Sequence, residues 1–239
     1  MYEFSSRVRF SEADPQGKLK PGSLVDYFQD CSVFHSIAIG KGPDVCIARQ
    51  AAWMLTSWQI EILSMPSLGE EIVIGTQAHE FKRTLARRNF TLRRPDGTLL
   101  AKADSGWVFF DLAAGRPGRI PEEEKEAYGC GEALPMDPAP KHISLSQTEG
   151  EERTPVVVRR EMLDTNGHLN NAQYVNLALH ELPDEMSVRK IFVEYRRQTM
   201  EGEVLTPVIF REQDRFGVIL RNADGAPSAV VLFEGESRE

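Results

Sequence analysis

One phrase in this chain is written twice. Asp14-Pro-Gln-Gly17-Lys-Leu19-Lys-Pro21 returns as Asp164-Thr-Asn-Gly167-His-Leu169-Asn-Asn171, with the two aspartates 150 positions apart at 14 and 164. Each copy follows a short run of strand character, over 7–10 and 155–159, and precedes an amphipathic stretch of helix character. The shared Asp-x-x-Gly-x-Leu frame reads as the shape of a turn, and the changed positions read as chemistry. Copy one has Gln16 and Lys18 where copy two has Asn166 and His168. A chain built this way is expected to fold as two related halves, one of which carries a reaction.

The residues after each copy extend the repeat. Leu24, Tyr27, Phe28, Cys31, Phe34, His35 and Ile37 recur at helical spacing and form one apolar stripe to lay against a sheet. Gly40-Lys-Gly42-Pro43 ends that helix. Strand patterns follow over 52–62, 71–76, 88–93 and 99–111, and Pro95-Asp-Gly97 is a hairpin turn in which glycine supplies the positive φ. The second half repeats the order, with a helix over 171–182 stopped by Pro183. Its strands run over 189–197, 204–212, 217–221 and 228–234, and Asp224-Gly225 stands where Asp96-Gly97 stood. A helix followed by antiparallel strands, done twice, predicts an α+β chain in which each sheet wraps around a central helix. That is a tandem hot-dog fold. The N-terminal half is expected over 1–125 and the C-terminal half over 154–239. A Pro-, Gly- and Glu-rich linker over 126–153 is expected to cross the surface.

Composition narrows the class of function. With 41% hydrophobic and 27% charged residues the chain reads as an ordinary globular protein, and no apolar run is long enough to span a bilayer. The opening Met-Tyr-Glu-Phe-Ser-Ser-Arg lacks the pattern of a signal peptide. Three cysteines without CxxC spacing suggest neither a disulfide framework nor a zinc site, so a reducing, cytoplasmic setting is expected. A net charge of −8 argues against nucleic acid as partner. Basic residues nevertheless cluster as Lys82-Arg83, Arg87-Arg88, Arg93-Arg94, Arg159-Arg160 and Arg196-Arg197, which leaves room for an acidic partner.

Familiar sites are absent by inspection. There is no Gly-x-Ser-x-Gly elbow, Lys41 is followed by Gly42 rather than Ser or Thr, and His79-Glu80 and His180-Glu181 lack a second histidine. Asp164-Thr-Asn-Gly-His opens like a calcium loop, but Val175 stands where a bidentate Glu belongs. Cys31 and His35, four apart on a helix, read as core residues. No metal or cofactor is expected. What remains is Asp164, Asn166 and His168 at the mouth of the second helix. Asn170 or Asn171 can cap that helix, leaving further N–H donors and the positive dipole end to face a developing oxyanion. A histidine beside them can polarise a carbonyl or pass a proton. On the residues alone, an Asx-rich turn with a satisfied histidine stays open.

Asp164-Thr-Asn-Gly-His-Leu-Asn-Asn-Ala-Gln-Tyr174 resembles the Asp-x-Asn-x-His-x-Asn-Asn-x-x-Tyr signature of the acyl-acyl carrier protein (ACP) thioesterases, plant and bacterial. Arg87-Arg88, Trp107-Val108, Ile120-Pro-Glu-Glu123 and Glu194-Tyr-Arg-Arg197 fall in that family's order, so the likeness covers nearly the whole chain. It implies that the N-terminal half holds the acyl chain and that Asp164, Asn166 and His168 are catalytic. One position departs. The family usually has a catalytic Glu after Glu-Tyr-Arg-Arg, and this chain has Gln198, whose amide cannot take a proton but can hold a water through its oxygen. Glu194 is no simple replacement, since four residues along a strand is ~13 Å.

The resemblance implies hydrolysis of fatty acyl-ACP to free fatty acid and carrier thiol, ending chain elongation in fatty acid biosynthesis. The acyl chain would lie near Trp53, Leu55 and Trp58, with Asn171 and Tyr174 also lining the substrate. Asn166 and the helix N-terminus would hold the carbonyl, His168 oriented by Asp164 would activate water directly or protonate the leaving thiolate, and Gln198 would position the water. Two other readings fit the same residues: an acyl-CoA thioesterase of another hot-dog branch, and a non-catalytic acyl-thioester binding protein that lost its base at position 198. A monomer, in which two fused halves form a pseudo-dimer, and a homodimer are both compatible with the sequence.

Overall fold

A computed structural model describes residues 1–237 apart from 139, 141, 144, 146–149, 184–185 and 213. It divides into two compact units, Met1–Asp137 and Pro138–Glu239. In the first, β1 (Tyr2–Arg7) leads through a single 3-10 turn (Phe10–Glu12) into α1 (Pro21–Ala38) and a short α2 (Pro43–Ala48). Then come β2 (Ala51–Ile62), β3 (Glu71–Phe81), β4 (Leu85–Arg93), β5 (Leu99–Asp111), a two-residue β6 (Arg116–Pro117) and α3 (Glu122–Tyr128). The main strands pair antiparallel in the order β1-β3-β4-β5-β2. The strand expected over 7–10 is displaced: pairing ends at Arg7, and Phe10 stands 86% exposed on the 3-10 turn.

Helix α1 starts with Pro21 in its first turn, where a missing N–H costs nothing. Leu24, Val25, Tyr27, Phe28, Cys31, Ser32 and His35 face the sheet. Phe34 and Ile37, expected on the same stripe, are 40% and 56% exposed, and Phe34 sets its ring edge against Phe4 instead. Under the helix, Phe28, Trp58 and Phe90 interlock with ring centroids 4.9 to 6.0 Å apart. Burying a side chain of this size contributes roughly 2–3 kcal/mol. Further along the same face Arg88 is 7% exposed, and among the described residues no carboxylate pairs with it. It donates to His35 Nδ1 at 3.1 Å and lies 5.0 Å from the centroid of the Tyr128 ring.

The second unit is a shorter version of the first. Two-residue strands β7 (Glu151–Glu152) and β8 (Val156–Val157) precede a 3-10 turn (Arg160–Met162), α4 (Asn171–His180), β9 (Met186–Tyr195), β10 (Val204–Glu212), β11 (Arg215–Arg221) and β12 (Pro227–Ser237). Its strands pair antiparallel in the order β9-β12-β11-β10-β7. Ala172, Tyr174, Val175 and Ala178 form the buried side of α4. Among the described residues no helix is long and apolar enough to cross a membrane.

Described parts of the stretch expected as a linker are bound to the sheet of their own unit. In the first unit, uncharged polar side chains on the sheet grip its backbone. Asn89 accepts from Leu134 N–H at 2.8 Å, Gln59 donates to Asp137 O at 2.8 Å, and Gln77 donates to Glu132 O at 2.7 Å. Asn89 and Gln59 are only 1% and 3% exposed, and these bonds are what satisfies them. In the second unit Ile143 and Leu145 pack against Phe192, Val230 and Leu232. Leu145 lies where any Cβ on Gly217 would be, 2.3 Å away. Covered in this way, β12 is buried on both faces, which explains its unbroken apolar run from Ala229 to Phe233.

Two titratable groups on α1, the buried His35 and the half-buried Asp26, act in opposite senses. Burial first, then Arg88 and the N-terminus, lowers the His35 pKa from 6.5 to about 4. Its stabilising contribution is complete above pH 6.5 and is lost as pH falls through 4. Burial first, then Asp30 and Glu12, raises the Asp26 pKa from 3.8 to about 6. Its contribution is complete below 3.8 and is lost as pH rises through 6. Asp26→Asn is therefore expected to raise stability at pH 7 by about 1–2 kcal/mol and to unmask an acid-induced decline set by His35. Urea midpoints of both proteins from pH 4 to 8 provide the check, and a variant no more stable at pH 7 than at pH 4, relative to wild type, would refute it.

Candidate functional site

The two copies of the repeated phrase fold into the same turn, bond for bond. In copy one Asp14 Oδ1 accepts from Gln16 N–H at 2.9 Å and Lys18 N–H at 2.8 Å. In copy two Asp164 Oδ1 accepts from Asn166 N–H at 2.8 Å and His168 N–H at 3.1 Å. The backbone closes each loop alike, with Asp14 N–H to Lys18 O at 2.8 Å and Asp164 N–H to His168 O at 2.7 Å. Gly17 and Gly167 take φ values of 71° and 75°, a left-handed conformation that disfavours a side chain. Both loops then bridge to the strand-connecting turn that follows, Lys18 to Ser67 and His168 to Met200.

This geometry revises the role expected for Asp164. Its carboxylate is engaged by the loop backbone and makes no hydrogen bond to the His168 ring among the described residues. Asp14 does the same work in a loop that has no histidine. The aspartate shapes the turn, and the turn aims positions 166 and 168. At those positions copy one directs Lys18 Nζ to Ser67 Oγ at 2.9 Å. The half-buried His168 imidazole and the exposed Asn166 amide make no hydrogen bond among the described residues.

The helix cap is Asn170, whose Oδ1 accepts from Ala172 N–H at 2.9 Å. Gln173 N–H turns back to Asn170 O at 2.9 Å, so two donors of the first turn are already used. The oxyanion donors expected from the helix start are correspondingly fewer. Tyr174 is buried and ties the loop to the segment after β9, donating to Thr199 Oγ1 at 3.0 Å and Arg197 O at 3.3 Å. Burial is the main reason its phenol sits above the usual value, and the negative charges of Glu203 and Asp164 add to it. Tyr195 meets the Tyr174 ring edge-on and donates to Asn171 O at 3.0 Å.

Gln198 lies on this same segment, exposed, between Arg197 and Thr199. Thr199 O accepts from Leu169 N–H at 2.8 Å, which brings the segment carrying Gln198 against the loop carrying His168. Thr199, 1% exposed, is a site-building residue that no motif announced. Glu194 is occupied elsewhere: Oε1 accepts from Ile143 N–H at 2.5 Å and Oε2 pairs with Arg196 at 2.8 Å.

The three expected slot residues do not stand together. Trp58 is 2% exposed within the main core. Trp53 is half-buried in a smaller cluster with Ala86, Phe109 and Ile120, its Nε1 3.4 Å from Glu124 Oε2. Leu55, also half-buried, pairs in register with Trp107. The basic doublets are mostly neutralised. Lys82 pairs with Glu80, Arg87 with Asp104, Arg93 with Glu3, Arg94 with Glu70, Arg196 with Glu194 and Arg197 with Glu203, while Arg88 is internal. Among the described residues no group of three or more His, Cys, Asp or Glu side chains is gathered to hold a metal ion.

Comparison with known proteins places this geometry. Residues 1–128 match the acyl-ACP thioesterase N-terminal domain and residues 145–228 the acyl-ACP thioesterase C-terminal domain. A chloroplastic acyl-[acyl-carrier-protein] hydrolase of Cuphea viscosissima is 26% identical over 230 residues, covering 87% of this chain and 56% of that protein. A chloroplastic palmitoyl-acyl carrier protein thioesterase of Arabidopsis thaliana is 26% identical over 181 residues, covering 70% of this chain and 42% of its own length. The chain thus spans about half the length of these plant relatives. In fold it is similar to an acyl-ACP thioesterase from Bacteroides thetaiotaomicron, with a TM-score of 0.88 and 21% identity over 98% of this chain and 97% of that one. It is likewise similar to a 12:0-ACP thioesterase from Umbellularia californica, with a TM-score of 0.87 and 19% identity over 99% and 97% of the two chains. With both family domains matched in order across a doubled sheet-and-helix fold, the chain belongs to the acyl-ACP thioesterase family.

Proposed function

We propose that this protein hydrolyses fatty acyl-ACP to free fatty acid and ACP thiol, ending chain elongation in fatty acid biosynthesis. The observation that carries the reading is the matched pair of loops. They share every backbone bond described above and both carry an amide at the first aimed position, Gln16 and Asn166, yet only the second places an imidazole at the other, where the first has Lys18. Asn166 donates from its amide to the thioester carbonyl oxygen. His168 takes a proton from water as the water oxygen bonds to the carbonyl carbon, and returns it to the departing thiolate sulfur. Gln198 accepts a hydrogen bond from that water, and Asp164 holds the loop in shape. A thiolate of pKa ~8.5 leaves without metal assistance. The first unit holds the acyl chain, for which the half-buried Trp53 and Leu55 supply apolar faces. Cys31, Cys46 and Cys130 are free thiols, which supports a reducing compartment such as the cytoplasm.

The test is turnover of acyl-ACP and acyl-CoA across chain lengths with product analysis. Acyl-ACP turnover is expected to fall more steeply with added salt than acyl-CoA turnover, because an acidic carrier is held partly by charge. Equal salt slopes would favour acyl-CoA as substrate. Ligand binding without any hydrolysis would identify a binding protein instead.

A further inference from the structure

Copy two differs from copy one just upstream of the loop as well as within it. In copy one Arg9 is neutralised: its N–H donates to Glu12 Oε2 at 2.8 Å, and its guanidinium lies 3.5 Å from Glu12 Oε1. The next residue is the apolar Phe10. In copy two the corresponding positions are Arg159, Arg160 and Met162. Methionine stands where copy one has the pairing acid and a second arginine has been added; the exposed Glu161, in place of Ser11, leaves the turn with one net positive charge. Both arginines are exposed, and Arg159-Arg160 is the one basic doublet in which neither member forms an ion pair among the described residues. The turn they begin is fastened to the His168 loop, since Asn170 N–H donates to Met162 O at 3.0 Å and Leu163 bridges Leu169.

We propose that Arg159 and Arg160 are the docking point for the acidic surface of the carrier protein. This rests on the reading of the protein as an acyl-ACP hydrolase. In a chain of net charge −8 an acidic partner is repelled at long range. Two exposed cations that form no ion pair among the described residues, and that outnumber the one acid of their turn, offset that repulsion at the place where the thioester must arrive. Long-range attraction of this kind acts on encounter and KM rather than on the chemical step.

The experiment compares wild type with Arg159→Glu/Arg160→Glu and with Met162→Glu, which restores the acid of copy one while keeping both arginines. For acyl-ACP the double reversal is expected to raise KM by about tenfold or more with kcat unchanged, and Met162→Glu to raise it by about threefold. For acyl-CoA neither variant should move KM by more than about twofold. Unchanged KM for acyl-ACP overturns the proposal. An equal rise for acyl-CoA also overturns it, because the arginines would then hold the phosphate of the pantetheine arm common to both substrates. Binding of apo-ACP, which has no arm, is measured alongside by fluorescence anisotropy at low salt. About tenfold weaker binding by the double variant supports the docking point even if the protein hydrolyses no acyl-ACP. Equal binding, or none by wild type, refutes it whatever the activity.

Discussion

Replacing His168 with alanine is expected to lower kcat/KM for acyl-ACP by about 10²- to 10⁴-fold, the usual cost of losing a positioned acid–base group. The fold should be unaffected. The imidazole forms no hydrogen bond among the described residues, whereas the loop is held by Asp164 and by backbone bonds that alanine keeps. A melting temperature within about 2 °C of wild type is therefore expected. Lys18→Ala provides the internal comparison, since Lys18 occupies the same place in the same turn and should leave turnover alone. Gln198→Glu complements the pair. A carboxylate on the segment beside the loop could accept the water proton that an amide cannot, and kcat should rise. Turnover by His168→Ala within threefold of wild type would remove the imidazole from the reaction.

Trp58→Ala carries the largest expected cost to stability, about 3–5 kcal/mol. Trp58 is 2% exposed and packs its ring 4.9 Å from Phe90 and 6.0 Å from Phe28, so truncation leaves a cavity between two rings that cannot easily close. For a domain whose whole stability is about 5–15 kcal/mol, such a loss approaches unfolding at physiological temperature. Trp58→Phe is expected to be far milder. The buried indole Nε1 has no hydrogen-bond partner among the described residues, so its removal forfeits no bond there while most of the ring volume is kept. Denaturant midpoints of the two variants separate a core role from a substrate-lining one. A loss below about 1 kcal/mol for the alanine variant would mean that the ring lines a cavity the chain can do without.

The repeat was the most legible part of the sequence, because a turn that needs Asp at its start and Gly at a positive φ admits few substitutes. Hairpin turns at Asp96-Gly97 and Asp224-Gly225 were legible for the same reason, and the glycines take φ values of 89° and 78°. Strand ends were less so. Strands expected to stop at Thr76 and start at Arg88 continue to Phe81 and from Leu85, because polar residues such as Gln77, Glu80 and Arg87 remain paired beyond the apolar alternation. The burial of Arg88 was hidden, since a cation in a basic doublet normally faces water. The shared aspartate did hint at its structural role, but only the hydrogen bonds show that both carboxylates face the loop backbone rather than the histidine ring.

The bound connector also has a practical corollary for dissecting the protein. Residues up to Asp137 are fastened to the first sheet through Gln59, Gln77 and Asn89, whereas Ile143 and Leu145 cover Phe192, Val230 and Leu232 of the second. A cut near residue 125 would strand buried amides in the first fragment, and one near 153 would bare an apolar strand in the second, inviting aggregation. Severing the chain between Asp137 and Pro138 leaves each fragment with the covering described above, and is the division at which to prepare each half by itself.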